Sequence, residues 1–186
     1  MSQRIKITSK NAEDYFHLEK LSPEKPPASF ECLIAEYNDY LLLDATRSLK
    51  DHIAKTWLLR EQKTGEIAAY MSLIMDAIKL SFTEKELHNL DYPFRTIPAM
   101  KIAKLAVDAD FPKRYKGIGS FLINAAMGIA TNCNDDYCAA RFLTVDADIE
   151  HDTGVLAFYE KNGFIPNTEL YNKNRKTISM RKDIYQ

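Results

Sequence analysis

At 186 residues the chain is long enough for one domain with a full hydrophobic core, and it needs no disulfide or metal staple. Its 46% hydrophobic and 27% charged residues suit an ordinary globule, and a formal net charge of −1 argues against a chain that clings to nucleic acid over its whole surface. No apolar run approaches membrane length and MSQRIKITSK has no signal-like apolar core, so neither a spanning nor a secreted chain is expected.

Residues 3–8 alternate Ile5 and Ile7 with polar neighbours and predict a short strand. Asn11 to Leu21 reads as a brief helix, closed by Ser22-Pro23 and by Pro26-Pro27. After Phe30 and Cys32, the residues Leu41, Leu42, Ala45, Leu49 and Ile53 recur at helical spacing, with Asn38 or Asp39 as the cap. Thr56 to Leu59 reads as strand, Lys63-Thr64-Gly65-Glu66 as turn and Ile67 to Leu80 as strand, which together make a hairpin. The tract 81–95 is polar, with a short helix near Glu84–Leu90. Lying between two strands, it is expected to be an inserted flap within a single domain of residues 1–186. Cys32, Cys133 and Cys138 lack zinc-knuckle spacing and read as free thiols of a reducing, cytoplasmic compartment, with no metal site.

The stretch from Ile97 to Ala130 organises the rest. Ile102, Leu105 and Val107 sit among small residues without a helical stripe, which suits a strand buried on both faces. A loop with Lys113, Arg114, Lys116, Gly117 and Gly119 follows. From Ile118 a helix opens whose apolar face carries Phe121, Leu122, Ala125, Ala126 and Ile129. Glycines and cations delivered to a helix N-terminus make an anion site, because the first-turn N–H groups have no partner inside the helix. A dinucleotide fingerprint fits poorly, since Leu122 stands where a third glycine belongs, and no Gly-Lys-Ser/Thr follows for a P-loop.

Arg141–Ala147 reads as the next strand. Asp152 or Thr153 then caps a short helix that ends at Gly163 as its C′ glycine. Phe164-Ile165-Pro166 and Thr177–Met180 read as two more strands joined through Asn172–Arg175. The predicted fold class is mixed α/β: a largely antiparallel sheet flanked by helices, in which the central strand pairs in parallel with 141–147.

Three features together resemble the GNAT superfamily of acetyl-CoA-dependent N-acetyltransferases, in a branch that also contains tRNA-acetylating toxins. Arg114-x-x-Gly117-x-Gly119 is similar to that family's pyrophosphate loop. Leu105-Ala106-Val107-Asp108 precedes it like the family's central strand, and Phe158-Tyr159-Glu160-Lys161-Asn162-Gly163-Phe164 resembles its late helix end. Upstream, Phe30-Glu31-Cys32 and Asn38-Asp39-Tyr40-Leu41 resemble the toxin branch more loosely. The resemblance implies that acetyl-CoA, as cosubstrate, lies along Leu105, Ala106 and Val107. It also implies that the pyrophosphate meets the segment Arg114, Tyr115, Lys116, Gly117, Ile118, Gly119 and Ser120. Tyr159 is implied as the general acid beside the CoA sulfur.

The central strand offers Lys101 and Lys104 where some relatives carry a glutamate, so Asp76, Asp108 and Asp146 are the remaining candidates for a base, each also readable as a cap or turn carboxylate. His151 reads as a loop histidine. The expected reaction is direct attack of a primary amine of a small molecule, peptide or protein on the thioester. The alternatives are acetylation of aminoacyl-tRNA and a non-catalytic acyl-CoA-binding domain. Lys173, Arg175, Lys176, Arg181 and Lys182 form a second basic cluster, readable as an RNA contact or as a solvated hairpin. The partners implied are acetyl-CoA and an amine-bearing acceptor, with no membrane, tRNA as the alternative acceptor and a homodimer allowed.

Overall fold

The computed structural model describes residues 4–167 and 176–186. The predicted connection Asn172–Arg175 and the basic residues Lys173 and Arg175 lie outside them. The strands are β1 (Ile5–Lys6), β2 (Phe16–Lys20), β3 (Lys55–Glu61), β4 (Ile67–Lys79), β5 (Thr96–Val107), β6 (Tyr115–Lys116), β7 (Phe142–Asp148), β8 (Ile165–Pro166) and β9 (Thr177–Asp183). The helices are α1 (Ala35–Asp39), α2 (Ala45–Lys50), α3 (Phe82–Leu87), α4 (Ile118–Asp136) and α5 (Val155–Lys161). Seven strands form the main sheet in the order β2-β3-β4-β5-β7-β9-β8, while β1 and β6 pair separately. The ladders β2–β3, β3–β4, β7–β9 and β8–β9 are antiparallel, and β5–β7 is parallel. The parallel pair follows from its connection, since α4 provides the crossover that parallel neighbours need. No helix among the described residues is long and apolar enough to cross a membrane.

The chain divides into two compact units, Met1–Ile74 with Ala103–Ala125 and Met75–Ile102 with Ala126–Gln186. In the first, Leu21, Phe30, Leu41, Ala45, Leu58, Ile67, Tyr70 and Ala106 form a buried cluster. Leu41 and Ala45 lie on a continuous helical stretch in which a π segment, Tyr40–Asp44, separates α1 from α2. Neither Asn38 nor Asp39 caps it. The N-cap is Ile34, and the Asn38 side chain instead bonds the Cys32 main chain, accepting from its N–H at 2.8 Å and donating to its carbonyl at 3.3 Å. Ile53, expected on the apolar stripe, is exposed.

The predicted helix over 11–21 is corrected to a short 3-10 turn, Ala12–Asp14, followed by β2. Phe16 pairs with Glu61 and Leu18 with Leu59, and a strand ladder of this length overrides weak local helix preference. Along β3–β4 the register skips Ala68, whose carbonyl accepts from the Asp108 N–H at 2.9 Å. That bulge ties β4 to the start of the loop that follows β5.

In the second unit, Ile78, Leu80, Leu90, Ile97, Ala99 and Phe142 form the apolar cluster. The tract 81–95 opens with a capping box on α3: the Ser81 hydroxyl accepts from the Glu84 N–H, and the Glu84 carboxylate accepts from the Ser81 N–H. A buried polar network fastens that helix to β9. The Arg181 guanidinium, 1% exposed, donates to Glu84 at 2.7 Å, to Asn167 at 2.5 Å and to His88 Nε2 at 3.1 Å, while His88 Nδ1 meets Asp183 at 2.9 Å. Two members of the predicted basic cluster therefore have other employment: Arg181 is a core residue, and Lys182 donates to the Asn162 carbonyl. Lys176 pairs with Glu150.

Candidate active site

The glycine loop is built on the N-terminal strand. Ile5 N–H donates to the Arg114 carbonyl at 2.9 Å, and Ile7 N–H to the Lys116 carbonyl at 2.8 Å, completing the parallel β1–β6 pair. Gly117 follows at φ +89°, and a Cβ there would stand 2.8 Å from the Ile7 carbonyl oxygen. Glycine is required for two reasons, the left-handed backbone and the close approach of β1.

Two of the loop's side chains, Tyr115 and Arg114, converge on the Glu61 carboxylate. Tyr115 is 8% exposed, donates its hydroxyl to Glu61 at 2.8 Å and sets its ring against Phe16, with centroids 4.9 Å apart. Arg114 lies over the Phe111 ring at 4.6 Å and bonds the same carboxylate at 2.5 Å. Burial pushes the Glu61 carboxyl up, but the hydroxyls of Tyr115 and Thr64 and the Arg114 guanidinium outweigh it and hold the acid below the usual carboxylate range. Ile118 is buried in the core, whereas Lys116 is exposed and Ser120 half-buried.

α4 starts at Ile118, and its first internal bond is Phe121 N–H to the Gly117 carbonyl at 2.9 Å. The N–H groups of Ile118, Gly119 and Ser120 therefore have no partner within the helix. Beside this turn lies a groove of about 430 Å³ whose lining includes Lys6, Thr8, Ser9, Lys10, Ser120 and Asn124. Asn11 braces the 6–10 segment, accepting from the Thr8 N–H at 2.8 Å and donating to the Lys6 carbonyl at 3.0 Å. Ile7 and Phe121 line the groove as well, so its walls are largely apolar, with hydroxyls, an amide and two ammonium groups at hand for a phosphate beside the helix N-terminus. The 6–10 segment carried no site expectation from the sequence, and it lines this groove. Its signal in the sequence is the cluster Lys6, Thr8, Ser9, Lys10, uninformative until β1 is seen to pair with the loop.

On the central strand, Ala106 is buried, while Leu105 and Val107 are half-buried, so this end is not covered on both faces as expected. The parallel ladder runs from Ala99–Phe142 to Ile102–Val145, and Leu105 and Val107 lie beyond it. Lys101 pairs with Asp146 at 2.6 Å, and the Lys104 ammonium sits 4.5 Å from the Tyr37 ring centroid.

The other candidate carboxylates are engaged as well. Asp76 accepts from the Thr144 hydroxyl at 2.9 Å and from the Ala77 N–H. Asp108 accepts from the N–H groups of Glu31 and Asp110, a turn role. His151 Nδ1 meets Asp148 at 2.8 Å.

In the second unit, Tyr159 is 8% exposed on α5, its ring edge-on to Phe158 at 5.1 Å and to Phe164 at 5.3 Å. Gly163, at φ +85°, ends the helix as predicted, and the Phe164 N–H returns to the Tyr159 carbonyl at 3.0 Å. The helix start differs from expectation. Gly154 is the N-cap, and Asp152 accepts from the Gly154 N–H at 2.7 Å in the turn before it.

The sequence model of the acetyltransferase (GNAT) family matches residues 14–164. No curated protein gives a significant match. Among solved structures, AtaT complexed with acetyl-methionyl-tRNAfMet is 19% identical, with a TM-score of 0.75 over 91% of this chain and 95% of that one. A bacterial toxin is 13% identical, with a TM-score of 0.76 over 91% of each chain. AtaTR bound with AcCoA is 20% identical, with a TM-score of 0.68 over 90% of this chain and 94% of the other. At such identities the likeness is one of fold. The family match over most of the chain, on the glycine loop, helix and late Gly-Phe turn described above, carries the assignment: the protein belongs to the GNAT acetyltransferase family, with acetyl-CoA as its cosubstrate.

Proposed function

We propose that this chain transfers the acetyl group of acetyl-CoA to the α-amine of an aminoacyl-tRNA. The observation that carries the proposal is the side-chain set on the central strand: Lys101 is paired with Asp146 and Lys104 sits over Tyr37, with no carboxylate between them to serve as a base. A lysine amine, with a pKa near 10.4, is neutral in only about one molecule in a few thousand at pH 7, whereas an α-amine near 7.7–8 is neutral in roughly a tenth. An enzyme without a strong base on this strand is best matched to the α-amine. The aminoacyl-tRNA form of that amine is supported by the fold shared with AtaT in complex with acetyl-methionyl-tRNAfMet.

In this reading the Lys116–Ser120 main chain, with Lys6 and Lys10, holds the phosphates, and Leu105 and Val107 bond the pantetheine arm. Acetyl-CoA supplies the activated acetyl group. Tyr159 gives its hydroxyl proton to the departing thiolate.

A second acceptor, a free amine of a small molecule or peptide, is favoured by one observation. The near-neutral chain commits Arg181 and Lys182 of its C-terminal basic cluster to internal bonds, which reduces the cations on hand for the several phosphate contacts that tRNA needs. Labelled acetyl-CoA offered to charged tRNA, free amino acids, polyamines and peptides separates the two. Transfer to charged tRNA alone supports the proposal, transfer to free amines replaces it with the second reading, and binding without turnover refutes both.

A further inference from the structure

We infer that Cys133 and Cys138 form a dithiol that a small disulfide, such as oxidised glutathione, converts to an intramolecular bridge. Cys133 lies in the last turn of α4, and the chain then doubles back. The N–H groups of Tyr137 and Cys138 both donate to the Cys133 carbonyl at 2.9 Å. Asn134 clamps the returning segment, accepting from the Ala140 N–H at 2.5 Å and donating to the Ala140 carbonyl at 2.9 Å. The outcome is two sulfurs 3.3 Å apart, one on an exposed residue and one on a half-buried residue.

Ring closure ordinarily demands loss of chain freedom. Here main-chain and Asn134 hydrogen bonds have already removed that freedom, so bridging asks only for the side-chain movement that brings the sulfurs to the about 2.05 Å of a disulfide. The Cys138 thiol is pushed up by its bond to the Cys133 sulfur, so its attack quickens as rising pH frees the thiolate. Cys32 is a contrasting case. It is half-buried, its Sγ donates to the Ile34 carbonyl at 3.3 Å, and the other two sulfurs face each other, so it has no second thiol to complete a bridge.

The exchange balances. The Cys138 thiolate attacks one sulfur of the small disulfide, forming a mixed disulfide and expelling one thiolate, which takes up a proton. The Cys133 thiolate then attacks the Cys138 sulfur, expelling the second small thiol. Two protein thiols are oxidised and one small disulfide is reduced to two thiols. The bridge would lock the last turn of α4 onto the 137–140 turn, which Asn134 also ties to the Tyr185 hydroxyl at 2.6 Å.

The test is equilibration of the whole protein at low concentration in glutathione buffers of rising oxidised fraction, followed by acid quench, alkylation and peptide mass analysis. Wild type is expected to lose about 2 Da with a Cys133–Cys138 linkage, while Cys133→Ser and Cys138→Ser each gain about 305 Da as the mixed disulfide. Cys32 should stay alkylatable throughout. The inference is overturned if wild type accumulates the mixed disulfide at Cys138, links between chains, or keeps both thiols alkylatable at every ratio. Cys138→Ser changes an exposed side chain, so its folding, checked by far-UV circular dichroism, does not confound the comparison.

Discussion

Replacing Gly117 with alanine tests whether the N-terminal strand and the glycine loop are one assembly. Gly117 has φ +89°, a region where a side chain costs about 1–2 kcal/mol. The new Cβ would also stand 2.8 Å from the Ile7 carbonyl oxygen, a main-chain atom that cannot swing away by rotating a side chain. β1 must shift, weakening the 2.8 Å bond from Ile7 N–H to the Lys116 carbonyl, worth about 1 kcal/mol. The sum is about 2–3 kcal/mol. In a chain of this size that lowers the melting temperature by about 4–12 °C, at roughly 2–4 °C per kcal/mol. The control is Gly128→Ala. Gly128 lies within α4, and a Cβ there would meet no atom within 4 Å, so alanine should hold or raise stability by up to about 1 kcal/mol. Thermal unfolding of the three proteins, read by circular dichroism with and without acetyl-CoA, measures both effects. Gly117→Ala melting with wild type would refute the coupling of β1 to the loop. A normal melting loss with unchanged acetyl-CoA affinity would leave the coupling standing and remove the loop from the cosubstrate site.

Tyr159→Phe should lower kcat by roughly 10²–10⁴ with acetyl-CoA affinity preserved, and wild-type turnover would end its role as general acid. The double variant Lys6→Ala, Lys10→Ala should weaken acetyl-CoA binding roughly three- to thirtyfold at low salt and less at high salt, as isothermal titration would report. Glu84→Gln should destabilise by about 3 kcal/mol in urea unfolding, because Arg181 then stays buried without its carboxylate. Burial pushes the His88 imidazole down, and the Arg181 guanidinium adds to that against the pull of Asp183. The folded protein therefore resists a proton that the unfolded chain accepts near pH 6.5, so this stability is complete above about pH 6.5 and is lost as pH falls below it. His88→Gln should flatten that slope, and an unchanged slope would place its origin elsewhere.

Much of the fold was legible because it is written in local patterns. The apolar stripe from Ile118 marks α4, Lys63–Glu66 marks the hairpin turn and Gly163 marks the end of α5, each through a requirement met by residues a few positions apart. Local pattern also misled. Asn11–Leu21 carries acidic residues suited to a helix start, yet Phe16 and Leu18 are claimed by β3, some forty residues later in the chain. Asn38 looked like a cap and instead holds the Cys32 main chain, because the helix already begins at Ala35 and places Asn38 inside it.

By itself, then, the sequence determined the elements proposed for the donor half of the chemistry: a strand, a basic glycine loop and a helix N-terminus, where an anion would be held by adjacent backbone groups. Only the tertiary structure decided what surrounds it. Arg114 meets Glu61 across 53 residues, Ile7 occupies the space beside Gly117, and Arg181 leaves the predicted basic surface for a carboxylate 97 residues away. A buried charge must find a partner wherever the chain brings one. That choice depends on which strands lie side by side, and it leaves no local periodicity to read.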